Sequence, residues 1–374
     1  MSLRILLLYD CIYPQSVGGV EHRNFELARA LGARGHRVTL GGFAEALSEP
    51  FPGVEILPVG PPGRLYTASG KRSTGEAVRL ARAILRLDLS RYDVIETANI
   101  PYAHLPPLAL RCRRAGKPLV VTWYEYWGRY WGRYLGARWP VYAAIERMTA
   151  RLGTAAISSS RLTAERVSKV RGEEVPVVRI GIPLETIRKA ALEAGEGPPL
   201  VYAGRLLREK RVDLLLEAVA RLQGIGLAIC GDGPDRGRLE EIAGRLGLKE
   251  RVVFHGHLPT NVDVWRRIGE SRIAVQPSSR EGYGMFPLEA MAAGLPVVYC
   301  ESSESALSEL VEDGVQGVRT APDPGALAAV LDRLLTDEGE RRRLAENARR
   351  HAEEFDWGAV AAVTEAVFLR ALVQ

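Results

Sequence analysis

The 374-residue sequence predicts an α/β protein built from two doubly wound parallel sheets. Three observations carry that prediction. Short apolar runs alternate with helix-length stretches along the whole chain, which is the pattern of βαβ units. The alternation pauses at a Gly/Pro/Glu-rich stretch, residues 194–199, and then restarts. A single sheet would need more strands than such sheets usually carry, so two domains fit better. The expected division is 1–183, a linker at 184–198, 199–355, and a closing helix over 356–374. In each sheet, ligands are expected beyond the carboxyl ends of the strands.

In chain order, the first half predicts strands at Ile5–Tyr9, Val38–Leu40, Val54–Val59, Val94–Thr97, Leu119–Thr122, Ala155–Ser158 and Val177–Ile180. Helical patterns lie between them at Val20–Leu31, Glu76–Leu87 and Pro140–Leu152. The second half predicts strands at Leu200–Ala203, Leu227–Cys230, Val252–His255, Ile273–Gln276, Val297–Tyr299 and Gly317–Thr320. Two helices, Glu338–Phe355 and Trp357–Leu372, end the pattern.

Composition narrows the function classes. Apolar residues make up 47% and charged residues 25%, which suits a soluble protein with a sizeable core. No apolar run approaches the roughly 18 residues of a membrane-spanning helix. The four cysteines are scattered without a C-x-x-C pair, so no disulfide framework or cysteine zinc site is expected. A reducing cytoplasm is the expected location. The net charge of +5 hides an asymmetry: up to Pro183 there are 26 Lys and Arg against 15 Asp and Glu. Such a basic half should attract an anion, whether nucleic acid, an anionic membrane surface or a phosphorylated substrate. No nucleic-acid motif accompanies the basic residues, so nucleic acid is the weakest of these.

The most informative stretch runs from Pro277 to Val298. A buried strand ends at Pro277, a loop with Gly282 and Gly284 follows, and a helix starts with Pro287 near its first turn. Free amides at that helix start, beside glycines that let backbone approach closely, form an anion site. Glu281 is placed on the loop and Glu289 in the helix's first turn. Read singly, Glu289 complements the helix dipole and Glu281 is a solvated loop charge.

Taken together, Glu281, seven intervening residues and Glu289 resemble the signature of retaining glycosyltransferases of the family-4 type, which have the GT-B fold. Other segments agree in order and spacing. Gly204-Arg205 with Lys210 looks like that family's diphosphate grip. Gly231-Asp232-Gly233-Pro234 looks like its tight turn, and Gly18-Gly19 followed by Leu27–Leu31 looks like its glycine loop and first helix. The resemblance implies two Rossmann-like domains facing across a cleft, with an acceptor-side N-terminal domain and a nucleotide-sugar donor domain. It also implies a last helix that crosses back to the first domain.

It further implies that Arg205, Lys210 and Glu281 act in catalysis. Gly18, Gly19, Gly204, Gly282, Tyr283, Gly284, Met285, Phe286 and Glu289 would hold the donor. Glu289 would take the ribose hydroxyls and Glu281 the donor sugar. Retention is explained in the family by front-face attack, with the acceptor hydroxyl deprotonated by the leaving phosphate. Breaking a glycosyl–phosphate bond leaves negative charge on the diphosphate, which Arg205, Lys210 and backbone amides are suited to stabilise. No Asp-x-Asp motif is present, so neither a metal nor another cofactor is expected, and the donor would be a UDP- or GDP-sugar.

Two departures from the family pattern stand out. Tyr124 occupies the place where a sugar-contacting histidine is usual, and His104 is the imidazole that could substitute from a neighbouring strand end. The family's Asn-Gly after the Val177–Ile180 segment reads Ile180-Gly181 here. Alternatives therefore include a nucleotide-sugar epimerase or hydrolase of the same architecture, and a catalytically silent nucleotide-sugar-binding homologue.

Residues 123–139 hold four of the six tryptophans, interleaved with Arg129, Arg133 and Arg138. Trp123, Trp127, Trp131 and Leu135 recur every four residues, which would place them on one helical face, either as core or as an interfacial patch. Lys71 and Arg72, then Arg79, Arg82 and Arg86, form a second basic segment, and Arg111, Arg113, Arg114 and Lys117 a third. These suggest a phosphate-bearing or lipid-linked acceptor, and peripheral contact with an anionic membrane.

Overall fold

A computed structural model describes residues 2–16, 18–45, 53–64 and 73–373. Two compact units emerge, Met1–Gly181 with Trp357–Gln374, and Ile182–Asp356. Lys71 and Arg72 lie outside the described residues.

The first unit holds a six-stranded parallel sheet. Its strands are β1 Arg4–Cys11, β2 Arg37–Phe43, β3 Val54–Gly60, β4 Val94–Ala98, β5 Leu119–Trp123 and β6 Ala155–Ser158, in the order β3-β2-β1-β4-β5-β6. The order reverses at β1, where Leu6 pairs with Thr39 of β2 on one side and Ile95 of β4 on the other. Helices cover both faces, so Ile5, Leu6 and Leu8 are wholly buried and the strand reads as a continuous apolar run. Val177–Ile180 adds no seventh strand. Val177 makes a single bridge to Ser158, because Pro176 before it offers only a carbonyl.

The helix Gly19–Ala33 buries Leu27, Ala28 and Leu31 against the sheet. The last helix, Trp357–Ala371, packs along it. Glu365 of that helix accepts from Arg34 at 2.6 Å and its other carboxylate oxygen lies 3.2 Å from His36 Nε2, while His36 Nδ1 accepts from the Leu3 amide. His36 is therefore structural. Gly181 lies against the Trp357 ring, where a Cβ would fall 2.6 Å from the indole.

The second unit repeats the architecture with β7 Leu200–Ala203, β8 Leu227–Cys230, β9 Val252–Gly256, β10 Ile273–Gln276, β11 Val297–Cys300 and β12 Gly317–Thr320. The order β12-β11-β10-β7-β8-β9 reverses between β7 and β10. The stretch 184–198 is no simple linker. Leu184–Leu192 is a helix whose Ile187 and Ala190 sit in this unit's core. Close packing made the difference: a Cβ at Gly269 would lie 2.6 Å from the Cα of Ala191, so glycine alone lets the two helices meet. Ile182 also belongs to this core, so the division falls at residue 181. The predicted helix Glu338–Phe355 is an α-helix over Glu338–His351 that tightens into a 3-10 turn over Ala352–Phe355.

The aromatic stripe is not one helical face. Trp123 ends β5, Trp127 precedes the 3-10 turn Gly128–Tyr130, and Trp131 opens the short helix Trp131–Leu135. Left-handed Gly128 and Gly136 break the run. Trp123 and Trp131 are buried, and Trp127 stacks on Trp131 with centroids 4.5 Å apart. The exposed apolar residues lie just beyond, at Trp139, Val141, Tyr142 and Met148 of the helix Trp139–Thr149. Among the described residues no helix is long and apolar enough to cross a membrane.

Candidate active site

In the second unit the predicted donor residues gather where the strand order reverses, beyond the carboxyl ends of β7 and β10, as expected for an open α/β sheet. Gly204 follows β7 with φ 153° and donates its amide to the Cys230 carbonyl at 2.9 Å. The Gly-Asp-Gly-Pro turn after β8 explains why the neighbouring loop can lie so close. A Cβ on Gly231 would sit 2.0 Å from the Gly204 carbonyl oxygen, and one on Gly233 would sit 2.3 Å from that of Leu206. Two backbones thus touch, and the loop carrying half-buried Arg205 is held in place.

Lys210 ends the 3-10 turn Arg208–Lys210. Arg211 follows at φ 53°, the one non-glycine residue of positive φ among those described. That conformation costs on the order of 1 kcal/mol and turns the chain into the helix Val212–Val219. Lys210 Nζ lies 2.6 Å from Glu281 Oε2. The Gln276 side-chain amide donates to the same oxygen at 2.7 Å. Below them the Ser279 amide donates to the Glu209 carbonyl at 2.9 Å, stitching the two loops together. Glu281 is further held by its backbone, since its carbonyl accepts from Ala306 at 2.9 Å.

The loop then enters the helix Met285–Ala293 through Gly284, at φ 103°, where a Cβ would meet Leu307 at 2.8 Å. No side chain caps this helix, so its first-turn amides have no intrahelical partner. Phe286 turns its ring inward against Tyr202, and only its backbone is available to a ligand. Glu289 is the fifth residue of the helix, in its second turn, which removes the dipole-complement reading. It is the only ionisable group in an otherwise apolar helix. Burial pushes its carboxyl up to about 7, opposed by the facing Trp265 indole. Gln276 and Trp265 escaped the sequence reading. The signal for Gln276 was a polar residue closing a buried apolar strand.

In the first unit, Gly18 is the extended residue before the helix Gly19–Ala33, and Gly19 its first residue. His104 does not supply the missing imidazole. It is fully buried, its Nε2 lies 2.8 Å from Thr97 Oγ1 and its Nδ1 contacts the Pro101 carbonyl, so both ring nitrogens are occupied by the protein. Tyr124 is half-buried after β5, and burial raises its phenol above the ordinary tyrosine range, so it is no base. Beneath it lies a pair the sequence reading missed: Arg23 Nη1 and Glu96 Oε1 at 2.6 Å, both side chains almost wholly buried. Thr122 donates to the same Glu96 oxygen. Nearby, Glu21 Oε1 accepts from Ser16 at 2.9 Å and from the Cys11 thiol at 3.0 Å. Among the described residues, no group of three or more His, Cys, Asp or Glu is placed to hold a metal.

The family model for Glycosyltransferase Family 4 matches residues 17–186, and that for Glycosyl transferases group 1 matches residues 184–351. A glycogen synthase of Mycobacterium tuberculosis is 29% identical over 99% of this chain and 95% of its own. A D-inositol 3-phosphate glycosyltransferase of Xylanimonas cellulosilytica is 28% identical over 95% and 92%. Among solved structures, sucrose-phosphate synthase of Thermosynechococcus elongatus superposes with a TM-score of 0.81 at 20% identity, covering 99% of both chains. Anabaena HepE in complex with UDP-glucose does so with a TM-score of 0.73 at 20% identity, covering 98% of this chain and 100% of its own. With two matching models that together run through both units, and GT-B folds among its structural neighbours, the chain belongs to the group 1, family 4 glycosyltransferases and is an enzyme of that class.

Proposed function

We propose that this glycosyltransferase moves a sugar from a nucleotide diphosphate sugar to an acceptor hydroxyl, retaining the anomeric configuration and using no metal. The observation that carries the donor assignment is the Lys210–Glu281 pair at the switch point of the second sheet, with Arg205 on the same loop after β7 as Lys210 and the uncapped helix Met285–Ala293 following Glu281. Without a donor, Glu281 neutralises Lys210. A diphosphate arriving there would draw the ammonium toward it and free Glu281 for the hydroxyls of the sugar. In the reaction the C1–O bond of the glycosyl phosphate breaks and its electron pair stays on the diphosphate. The acceptor oxygen bonds to C1 from the same face, and its proton passes to the leaving phosphate oxygen. Arg205, Lys210 and the helix amides stabilise the charge that builds on that phosphate. HepE, crystallised with UDP-glucose, supports the donor class. In this reading Glu289 takes the ribose hydroxyls.

The finer reading of where the acceptor is met is an anionic membrane surface. The exposed Trp139, Val141, Tyr142 and Met148 stand among Arg133, Arg138 and Arg147, which are also exposed. Aromatic and apolar side chains ringed by arginines suit the head-group region of anionic lipid.

Thermal unfolding of the purified protein with UDP-, GDP- and ADP-sugars, with and without EDTA, tests the donor reading. A midpoint that rises with the logarithm of one nucleotide sugar's concentration, unchanged by EDTA, supports it. No rise with any of them overturns it, and a rise abolished by EDTA overturns metal independence.

A further inference from the structure

Gln276 is the polar end of an apolar strand. The other residues of β10, Ile273, Ala274 and Val275, are wholly buried, and Gln276 is itself only 3% exposed. It sits at the carboxyl end of the strand, where the order of the second sheet reverses. Burying an amide there costs free energy unless each of its polar atoms finds a partner. One does not. The Nε2 group donates to Glu281 Oε2 at 2.7 Å and to Ser278 Oγ at 3.1 Å, which uses both of its N–H bonds. Oε1 is buried and accepts from no group.

Turning the amide over would not mend this. A carboxylate accepts hydrogen bonds and donates none, so the amide has to face Glu281 with its NH2 end. Oε1 is left bare as a consequence. A methionine would fill the same space with no polar atom to satisfy, so stability does not account for a glutamine at this position. What the amide accomplishes is to fix one oxygen of Glu281.

That oxygen, Oε2, takes both side-chain partners of the carboxylate, Lys210 Nζ at 2.6 Å and Gln276 Nε2, whereas Oε1 takes none among the described residues. The Glu281 side chain keeps 13% of its surface exposed, so a ligand can reach it. The two partners differ in kind. Lys210 carries its ammonium on a flexible stem, and in the transfer reading that ammonium goes to the diphosphate. Gln276 is clamped between Ser278, which is wholly buried, and Glu281. Once the ammonium leaves, a carboxylate with no second anchor would turn freely, and ordering it again on a sugar would weaken binding.

We propose that Gln276 is a positioning residue: it holds Glu281 Oε2 while Lys210 turns to the diphosphate, so that Oε1 is presented to a hydroxyl of the donor sugar. The inference rests on the donor reading above. Titration calorimetry with UDP-glucose, GDP-mannose and ADP-glucose, each beside its free nucleoside diphosphate, tests it. For the nucleotide that binds, Gln276→Met should weaken the nucleotide sugar about fivefold, the size expected for one side chain left to be ordered on binding. The free diphosphate should change less than about twofold, since no sugar is there to be met. The unfolding midpoint should equal or exceed the parent's, because the bare carbonyl is gone. Ser278→Ala, which frees the far side of the amide, should shift the ratio of the two affinities in the same direction. Glu281→Ala should also weaken the nucleotide sugar, and adding Gln276→Met to it should have no further effect, because both act through one carboxylate.

Equal weakening of the sugar and diphosphate forms, or a lowered midpoint, would give Gln276 a structural role and overturn the proposal. Undiminished binding in Gln276→Met, or additive losses in the double variant, overturns it too. Failure of Glu281→Ala to weaken the nucleotide sugar, or of every diphosphate to bind, strikes the donor reading itself, so the two failures are distinguished.

Discussion

Lys210 Nζ sits 2.6 Å from Glu281 Oε2, joining two loops that lie 71 residues apart in the chain. The pair brings the loop after β7 to the loop after β10, and Gln276 donates to the same carboxylate oxygen. Removing the ammonium therefore leaves Glu281 with one partner and the fold with its core intact. Lys210→Ala is expected to lower kcat/KM for sugar transfer by about 100-fold, the usual loss of one transition-state charge partner. The unfolding free energy should change by only about 1 kcal/mol, since the pair is partly solvated. Steady-state kinetics beside urea unfolding separate these effects. Activity near that of the parent would remove Lys210 from the site.

Arg205 should act on the same phosphate charge. Arg205→Ala is expected to lower kcat by about 10–100-fold, and the double variant with Lys210→Ala should lose less than the product of the single losses, because both cations serve one group. A strictly multiplicative loss would place them on separate events.

Glu289 gives a pH test. Its carboxyl ionises near 4.5 in an unfolded chain and near 7 in the folded protein. Between those values the folded state holds the proton more tightly, so this group's contribution to stability falls as pH rises from about 4.5 to 7 and is level above. Glu289→Gln removes that slope. Its unfolding free energy relative to the parent should be about 3 kcal/mol more favourable at pH 8 than at pH 4.5. Chemical unfolding at the two pH values reads this directly, and a difference independent of pH would overturn it. The same variant should weaken UDP binding about tenfold at pH 8, where the ribose loses a charged acceptor.

Gly231 allows the contact between two loops that shapes the site. Gly231→Ala places a methyl carbon 2.0 Å from the Gly204 carbonyl oxygen, at a φ of 138° that side chains rarely adopt. A loss of about 3 kcal/mol or more is expected, measured as a lower unfolding midpoint. A Gly19→Ala variant, where a Cβ meets nothing within 4 Å, is the control and should unfold as the parent does.

Membrane contact is tested by co-sedimentation with liposomes. Binding to vesicles rich in phosphatidylglycerol, absent with phosphatidylcholine alone, is expected to fall severalfold in Trp139→Ser with Val141→Ser. Equal, negligible sedimentation with both vesicle types would remove the membrane reading.

Local physics in the sequence determined the number of sheets, twelve of the thirteen strands read from it, and the glycine-bearing loops at the switch point of the second unit. Continuous apolar runs mark strands covered on both faces, and glycines at Gly204, Gly231 and Gly284 mark backbone that must turn or touch. Other features required the tertiary structure, because they depend on residues far apart in sequence. Leu184–Leu192 became part of a core through a glycine 78 positions beyond its last residue but one, Gly269 under Ala191. His104 was withdrawn from chemistry by Thr97 and Pro101. Arg23 found Glu96 across 73 residues, and Lys210 found Glu281 across 71. Charge shows the difference most clearly. Counting residues gave a basic first half, whereas the direction in which each helix runs sent Arg113 and Arg114 to the amino ends of the strands, since a parallel βαβ unit returns every helix antiparallel to its strands.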